Sequence, residues 1–250
     1  NKKEALITAP YPADWVEGDL SKTIPDFSNF KIDGVIHLAG ENVGEKNWSE
    51  KQKSTIKESR TKGTKNLLAA LKNQNSLGFF IGASAIGFYE STHGDFFATE
   101  KTQRGSDFLA EVTDEWEKAS EDLPQNVRRV LYRTGIVLST EGGALPKMLF
   151  PAQIFASSAL GSGFQWMSWI HMRDVLNAFM FAVNHSSMNG IYNLVSPNTT
   201  QQGELAKEIG RRLSAWKGPP VPGFMIKTLL GEQASLALNS LRVSCEKLVS

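Results

Sequence analysis

Apolar positions in this sequence gather into three short, nearly continuous runs, separated by longer stretches in which polar and apolar residues alternate. The runs occupy residues 33–40, 77–84 and 127–138. A strand of a parallel sheet is buried on both faces, so its residues form a continuous apolar run. The pattern therefore predicts three buried strands, and we expect them to be parallel neighbours in one sheet.

The stretches between and after these runs have the spacing of amphipathic helices. Ser49 can cap the first helix, with Gln52 at the capping-box position, and Thr199 with Gln202 offers a second capping box. A short strand is expected at 191–195 and an extended segment at 165–171. The predicted helices cover residues 49–73, about 107–121, 144–155, about 174–184, about 202–213 and most of the chain from 223 onward.

Strands that alternate with helices indicate an α/β fold with a parallel sheet. The 250 residues are 41% hydrophobic and 21% charged, which suits one large globular domain. No repeat or linker-like stretch divides the chain, and residues 217–223 (KGPPVPG) form a rigid connection within its later part. We therefore expect a single domain over residues 1–250.

The residues that follow the predicted first strand do not match a nucleotide-binding fold. Residues 4–8 are typical of a short first strand, but Ala9 to Pro12 follow it where a nucleotide-binding fold has a glycine-rich turn. Only 26 residues, three of them prolines, lie between Thr8 and Val35. One βαβ unit takes ~30 residues and two are needed here. Either the fold lacks its first nucleotide-binding unit or residues are missing, and we expect a break near residues 8–12.

The net charge and the cysteine content exclude several kinds of binding partner and cross-link. The net charge is +1, so nothing draws the whole chain toward nucleic acid or a membrane surface. The basic run between residues 51 and 65 is interrupted by Glu58, as in a solvated helix face.

Cys245 is the only cysteine, which excludes an intrachain disulfide and favours a cytoplasmic setting. No apolar stretch reaches the ~18 residues of a membrane span, and no His or carboxylate spacing indicates a metal site.

Several motifs resemble those of the extended short-chain dehydrogenase/reductase superfamily. GTKNLLAA (63–70) is similar to a helix of that superfamily, and GASAIGFYE (82–90) to its serine-bearing strand end. The segments SDFLAEVTDEWEKA, YRTGIVLSTEGGALPKM and LGSGFQWMSWIHMRDV resemble an epimerase-like subgroup described as nucleoside-diphosphate-sugar epimerases. The similarity covers about residues 32–241.

This resemblance implies a Rossmann-type doubly wound parallel sheet with a smaller, mostly helical C-terminal lobe, mainly from about 140–170 and 196–250, that supplies a substrate cleft. It implies an NAD(P)-dependent epimerase or oxidoreductase acting on a small polar substrate, such as a nucleotide sugar, and favours NADP slightly over NAD. A homodimer is left open. The alternative is a non-catalytic dinucleotide-binding sensor or partner-binding protein.

Gly40 ends the first apolar run, where a side chain would block a ligand that lies over the sheet edge. A simple tight turn would explain this glycine as well. By resemblance, two sets of residues border the cofactor at the ends of strands. These residues are Leu38, Ala39, Gly40 and Ala83, and then Arg133, Thr134 and Gly135 near the nicotinamide.

Arg60 lies on the helix face that should pack on the sheet, together with Ile56, Gly63 and Leu67. An inward-facing arginine needs an anionic partner. We expect either a phosphate of the nucleotide or an acidic residue beside it. A structural ion pair and a stem that extends to solvent are the alternatives.

Ser84 and Tyr89 are the candidate catalytic residues. Ser84 ends its strand at the edge where α/β sheets bind ligands, and Tyr89 follows five residues later. The superfamily's Tyr-x-x-x-Lys pair is absent from the helix that starts near Asp107, so Tyr89 is the nearest substitute for moving a proton. A backbone hydrogen bond for Ser84, or aromatic packing for Tyr89, is the structural alternative.

Three residues of the segment QWMSWIH could line the substrate cleft: Trp166, Trp169 and His171. Aromatic rings beside a histidine are common in such clefts. Core packing would explain the two tryptophans equally well. A hydrogen bond at the start of the next helix, near Asp174, would explain His171.

Overall fold

The chain forms an α/β structure in a computed structural model that describes residues 13–92, 94–154 and 156–250. The predicted first strand at 4–8 and the predicted break near residues 8–12 lie outside the described residues. Strands and helices alternate along the first two thirds of the chain, and mostly helical segments follow.

The strands are β1 (Gly34–His37), β2 (Phe79–Ala85), β3 (Arg128–Thr134), β4 (Ile136–Ser139), β5 (Gly142–Gly143), β6 (Ala156–Ser157), β7 (Trp166–Met167), β8 (Trp169–His171), β9 (Gly190–Leu194), β10 (Thr200–Gln201) and β11 (Trp216–Lys217). The helices are α1 (Glu50–Leu71), α2 (Phe108–Lys118), α3 (Ala144–Gln153), α4 (Met172–Asn184), α5 (Gln202–Arg212), α6 (Gly223–Leu230), α7 (Ser235–Leu238) and α8 (Glu246–Val249). Short 3₁₀ turns cover Ile86–Phe88 and Gly231–Ala234.

Among the described residues, the central sheet has four strands in the order β1-β2-β3-β9, all parallel. The prediction that the three apolar runs are parallel neighbours is confirmed. Side chains alternate between the two faces of these strands, and each face meets helices. Leu67 of α1 packs with Phe80 and Leu131 on one face, while Phe179 of α4 packs with Val130 on the other.

The first run forms a shorter strand than predicted, and it is not buried on both faces. β1 ends at His37, and Ile36 and Leu38 are 44% and 61% exposed. His37 lies on the face covered by α1, where its Nε2 is 3.0 Å from Thr64 Oγ1. On the opposite face, the described residues leave Ile36 accessible to solvent.

The third run, predicted as one strand, is divided at Gly135. β3 stays in the central sheet, whereas β4 joins a second sheet, antiparallel to β5 and parallel to β8. A Cβ atom on Gly135 would clash with the carbonyl oxygen of Ser168 and lie 2.8 Å from Val195 Cγ1. The two sheets therefore approach each other at a position that has no room for a side chain.

Only one of the two predicted capping boxes forms its side-chain cap. Ser49 Oγ accepts a hydrogen bond from Gln52 N at 3.2 Å, so α1 starts as predicted. The second prediction is wrong, because Gln201 precedes α5 without a side-chain cap. Gln202 instead uses its side-chain oxygen to accept from Leu160 N at 2.8 Å.

The C-terminal segments adjoin the loop that follows β1. Gln233 Nε2 donates to the carbonyl oxygens of Val43 and Lys46, at 3.0 and 3.1 Å. Lys147 Nζ of α3 donates to Gly44 O at 2.7 Å. The loop after β1 is therefore held from two sides. Within the described part of the chain, no helix combines the length and the apolar character needed to span a membrane.

Candidate functional site

The carboxyl ends of β1, β2 and β3 lie at one edge of the central sheet, because these strands are parallel and adjacent. Leu38, Ala39 and Gly40 leave this edge from β1 and are exposed. This edge is where open α/β sheets bind their ligands. The predicted cofactor-binding segment is therefore accessible, while its contact with a cofactor stays a prediction.

Arg60 faces inward beside this edge, as predicted. Its Nη1 donates to the carbonyl oxygens of Glu41 and Ile56, at 2.9 and 3.1 Å. The guanidinium carbon lies 5.0 Å from the centre of the Trp116 ring. A Cβ atom on Gly40 would be 3.1 Å from the same carbon, so the glycine lets the backbone approach the arginine.

The predicted acidic partner of Arg60 is absent from the described residues, where no carboxylate oxygen lies within 4.0 Å of the guanidinium. The carboxylate of Glu41, whose backbone oxygen accepts from Arg60, is occupied by Lys46 Nζ at 3.0 Å and Gln52 Nε2 at 3.2 Å. Burial lowers the pKa of Arg60 to about 10, and the charge of Glu41 offsets this only in part. Arg60 is thus a partly desolvated cation bonded to neutral oxygens.

A buried ion pair lies behind the ends of β2 and β3. Arg133 donates to Glu117 of α2 through Nε and Nη2, each at 2.8 Å. The two side chains are 3% and 7% exposed. The guanidinium also stacks on Phe88, with its carbon 3.4 Å from the ring centre. Although burial lowers it, the hydrogen bonds and charge of Glu117 raise the pKa of Arg133 above its usual value.

The predicted catalytic residues both belong to this buried cluster. Ser84 Oγ donates to Glu117 Oε1 at 2.5 Å. Tyr89 accepts from Arg133 Nη1 at 3.0 Å and donates to Asn193 Oδ1 at 2.6 Å. Burial raises the pKa of the Tyr89 phenol despite the nearby Arg133. Both hydroxyls are therefore hydrogen-bonded inside the protein, Ser84 to a carboxylate rather than to the backbone group of its structural alternative, and their catalytic roles stay predictions.

Sequence reasoning missed Glu117 and Asn193, which complete the cluster. The helix α2 lacks the Tyr-x-x-x-Lys pair, as expected from the sequence, but its buried face carries the acidic side chain of Glu117. The signal was present in the sequence, since Glu117 follows Trp116 and lies four residues after Thr113 on the packing face. Asn193, in β9, gave no such signal. Its backbone N–H donates to Glu100 Oε1 at 2.8 Å.

The other predicted cofactor residues lie near the ends of β2 and β3. Ala83 is opposite Tyr132 in the sheet, and Ala85 is opposite Thr134. Thr134 Oγ1 donates to its own strand at Tyr132 O, 3.2 Å away. Gly135 N donates to the carbonyl oxygen of Leu194 at 3.0 Å. These positions border the sheet edge, and their contacts with a cofactor stay predictions.

The three predicted substrate residues do not form one cluster with shared contacts. Trp166 stacks against Arg242, whose guanidinium carbon is 4.0 Å from the ring centre. Trp169 is in β8 and partly buried. His171 is exposed, and its Nδ1 accepts from Arg173 N at 3.1 Å as the cap of α4. The structural explanation given for His171 is therefore correct, while the roles of these residues toward a substrate stay predictions.

A separate cleft of about 310 Å³ lies in the C-terminal part, between β6, α5 and β11. Its lining includes Ser158, Gly203, Lys207 and Lys217.

Within the described ranges, no three His, Cys, Asp or Glu side chains are grouped so that they could hold a metal ion.

Comparison with known proteins identifies relatives over nearly the whole chain. The profile of the NAD dependent epimerase/dehydratase family matches residues 2–109. The chloroplastic epimerase family protein SDR39U1 homolog of Arabidopsis thaliana is 37% identical over 212 residues, which are 84% of this chain and 60% of that protein. The epimerase family protein SSP1921 of Staphylococcus saprophyticus is 33% identical over 256 residues, 97% of this chain and 81% of that protein. The chain thus spans less than two thirds of the length of the plant relative.

Two solved structures share the fold. Human epimerase family protein SDR39U1 (isoform 2), solved with NADPH, superposes with a TM-score of 0.82 at 25% identity, covering 87% of this chain and 75% of the human chain. A nucleoside-diphosphate sugar epimerase from Corynebacterium glutamicum gives a TM-score of 0.69 at 30% identity, covering 87% of this chain and 42% of that one. These matches show that the chain belongs to the NAD-dependent epimerase/dehydratase family, among the epimerase family proteins related to SDR39U1.

Proposed function

We propose that this protein binds NADP(H), or less tightly NAD(H), and acts as an epimerase or oxidoreductase on a small polar substrate, with nucleotide sugars as the first class to test. The observation that carries the proposal is the accessible segment Leu38–Gly40 at the carboxyl end of β1. Its last residue has no side chain, and the guanidinium of Arg60 lies directly against it.

The residues at this edge suit a flat ligand that lies across strand ends. A glycine allows close approach of a cofactor to the backbone. Ala39 and Ala83 add only small side chains, and Thr134 with Gly135 ends the next strand. When bound, the dinucleotide supplies the hydride, while these residues hold it against the sheet and orient it. The preference for NADP(H) is supported by the human relative, whose structure was solved with NADPH.

We further propose that residues about 140–170 and 196–250 supply the substrate cleft. The support is their attachment to the loop after β1 through Lys147 and Gln233. A substrate that enters between this lobe and the sheet edge would lie beside the bound cofactor. Such a cleft between two parts of a protein is a common place for small-molecule sites.

A steric block at the sheet edge tests the proposal. A Cβ atom on Gly40 would crowd the guanidinium of Arg60, so valine there would displace this group at the proposed cofactor position, and we expect Gly40→Val to weaken NADPH binding at least tenfold. The matched control is Gly142→Val, since a Cβ atom on Gly142 meets no atom within 4 Å. The full chain is titrated with NADPH and NADH by isothermal calorimetry. Unchanged NADPH affinity in folded Gly40→Val would contradict the proposed cofactor position.

A second function, a dinucleotide-binding sensor without catalysis, is favoured by one observation. The hydroxyls of Ser84 and Tyr89 are buried and already hydrogen-bonded to Glu117 and Asn193. A general acid or base must reach the proton that it transfers. A screen of carbonyl substrates with NADPH, read out as cofactor oxidation, and of alcohol substrates with NADP⁺, read out as cofactor reduction, separates the two functions. Tight cofactor binding together with no turnover of any substrate would favour the sensor.

A further inference from the structure

The cleft between β6, α5 and β11 is separate from the sheet edge at which the cofactor is proposed to bind. All of its lining residues fall between 157 and 220, so none of them comes from β1, β2 or β3. Ser157 Oγ donates to Ala206 O of α5 at 2.6 Å, and Lys217 is opposite Ser157 in the parallel pair of β6 and β11. Side chains opposite each other point to the same side of a sheet, so Lys217 extends toward α5. The volume of about 310 Å³ is large enough for a small-molecule ligand.

The charged side chains that line this cleft are three cations and one acid, namely Lys207, Arg211, Lys217 and Glu204. Lys217 is exposed and forms no ion pair within the described part of the chain. Lys207 Nζ is 3.7 Å from Glu204 Oε2, which is longer than a hydrogen bond. Arg211 is held by the two carboxylate oxygens of Glu208, at 2.7 and 2.8 Å. The cleft therefore presents two ammonium groups that donate no hydrogen bond to a carboxylate.

The neutral part of the lining adds a hydroxyl group and an aromatic ring. The hydroxyl of Ser158 lies over Gly218, where a Cβ atom would be 2.5 Å away, and it makes no hydrogen bond to the described residues. Phe164 is 73% exposed, so its ring is available to cover a flat part of a ligand. Gly203 and Gly210 leave the α5 wall without a side chain at two positions. The lining thus combines hydrogen-bond donors, positive charge and one apolar surface.

We propose that this cleft binds a small phosphate monoester that carries a ring, such as a mononucleotide. Its phosphate lies at Lys207 and Lys217, and its ring lies against Phe164. A phosphate monoester has a charge of about −1.5 to −2 at neutral pH and three strong acceptor oxygens. Two ammonium groups balance this charge, and the Ser158 hydroxyl can donate to a further oxygen. Because the cleft shares no lining residue with the sheet edge, the ligand binds with or without NADPH.

The test titrates the full chain with UMP, uridine and inorganic phosphate at low salt, by calorimetry, with and without saturating NADPH. We expect UMP to bind best, phosphate to bind more weakly and uridine not to bind. Lys217→Gln and Lys207→Gln should each weaken UMP binding about tenfold, because a hydrogen bond to a charged group is lost. Phe164→Ala should weaken UMP binding about fivefold and leave phosphate binding unchanged, because only the ring contact is removed.

Two further variants test the sign of the charge effect. Glu204→Gln removes the one acid of the lining, so UMP should bind about threefold more tightly. The control is Arg212→Gln, since Arg212 is exposed on the same helix, pairs with Glu208 and does not line the cleft. This variant should bind UMP like the wild type.

Tighter binding in Glu204→Gln together with weaker binding in Lys217→Gln supports the proposal, also in protein that fails to bind NADPH. Equal losses in Arg212→Gln and Lys217→Gln would indicate attraction to the overall charge of α5 and would overturn it. Unchanged UMP affinity in both lysine variants would overturn it too, as would equal affinities for uridine and UMP or no UMP binding at all. Competition between UMP and NADPH would place UMP at the sheet edge and would likewise overturn it.

Discussion

Glu117 accepts two hydrogen bonds from the guanidinium of Arg133, both 2.8 Å long, in a place where neither side chain is more than 7% exposed. The pair joins α2 to β3, because Glu117 lies on the helix and Arg133 on the strand. Ser84 from β2 adds a third hydrogen bond to the same carboxylate. One carboxylate thus connects a helix with the ends of two neighbouring strands.

Breaking this pair should strongly destabilise the fold. Glu117→Leu leaves the Arg133 charge buried without its partner, and we expect a loss of about 3–5 kcal/mol in the free energy of unfolding. The double variant Glu117→Leu/Arg133→Met should recover much of this loss, since both charges are removed. Urea denaturation of the wild type, Glu117→Leu, Arg133→Met and the double variant completes the cycle. Glu208→Gln, which removes an exposed pair with Arg211, is the control and should unfold like the wild type.

Removing the hydroxyls of Ser84 and Tyr89 separates their structural role from their predicted catalytic one. In Ser84→Ala and Tyr89→Phe, buried acceptors on Glu117 and Asn193 lose a donor, so we expect about 1–3 kcal/mol of destabilisation. Cofactor affinity should not change. Once a substrate is found, single-turnover rates complete the test. A rate loss of ~10²–10⁴-fold in a variant of unchanged stability would instead identify that residue as a proton donor or acceptor.

His37 should make the protein less stable in mild acid. Burial lowers its pKa from 6.5 to about 4. Between these two pH values, the imidazole is therefore protonated in the unfolded chain but neutral in the folded protein. The stabilisation from neutral His37 is fully present above pH 6.5 and is lost as the pH falls from 6.5 toward 4. Between pH 7 and pH 5 this loss amounts to about 2 kcal/mol.

The measurement compares urea denaturation of the wild type, His37→Gln and the exposed His185→Gln at pH 7 and pH 5. Carboxylates titrate similarly in all three proteins, so the difference between variants isolates the histidine. His37→Gln should lose about 2 kcal/mol less than the wild type on acidification, and His185→Gln should follow the wild type. An identical pH dependence in all three would mean that His37 takes up its proton at its ordinary pKa.

Gly135 should not tolerate a methyl group. In Gly135→Ala the new Cβ would clash with Ser168 O and crowd Val195, both in backbone segments that are packed against the strand. Overpacking of this kind costs about 1–3 kcal/mol, so the melting temperature should fall by several degrees. Gly142→Ala is the matched control, because the space beside Gly142 is open. Equal melting temperatures for the two variants would show that the junction of β3 and β4 can adjust.

Short-range patterns in the sequence were enough to predict several strands, the start of α1 and the inward face of this helix. Continuous apolar runs predicted β2 and β3, since burial on both faces leaves that pattern in any order of pairing, and they predicted β1 although one of its faces is exposed. Ser49 with Gln52 predicted the start of α1, because a cap involves residues only three apart. Helical periodicity likewise predicted that Arg60 faces inward. Each of these features depends only on residues that are close together in the sequence.

Only the tertiary structure decided which residues meet across the fold. The periodicity of α1 could turn Arg60 inward, but it could not name Trp116 and two carbonyl oxygens as its surroundings. The same holds for Glu117 and Arg133, which are 16 residues apart on different elements. The break at Gly135 arises because a second sheet approaches the strand there. Such contacts depend on how helices and sheets pack, and an amphipathic pattern specifies that a face is buried without specifying what covers it.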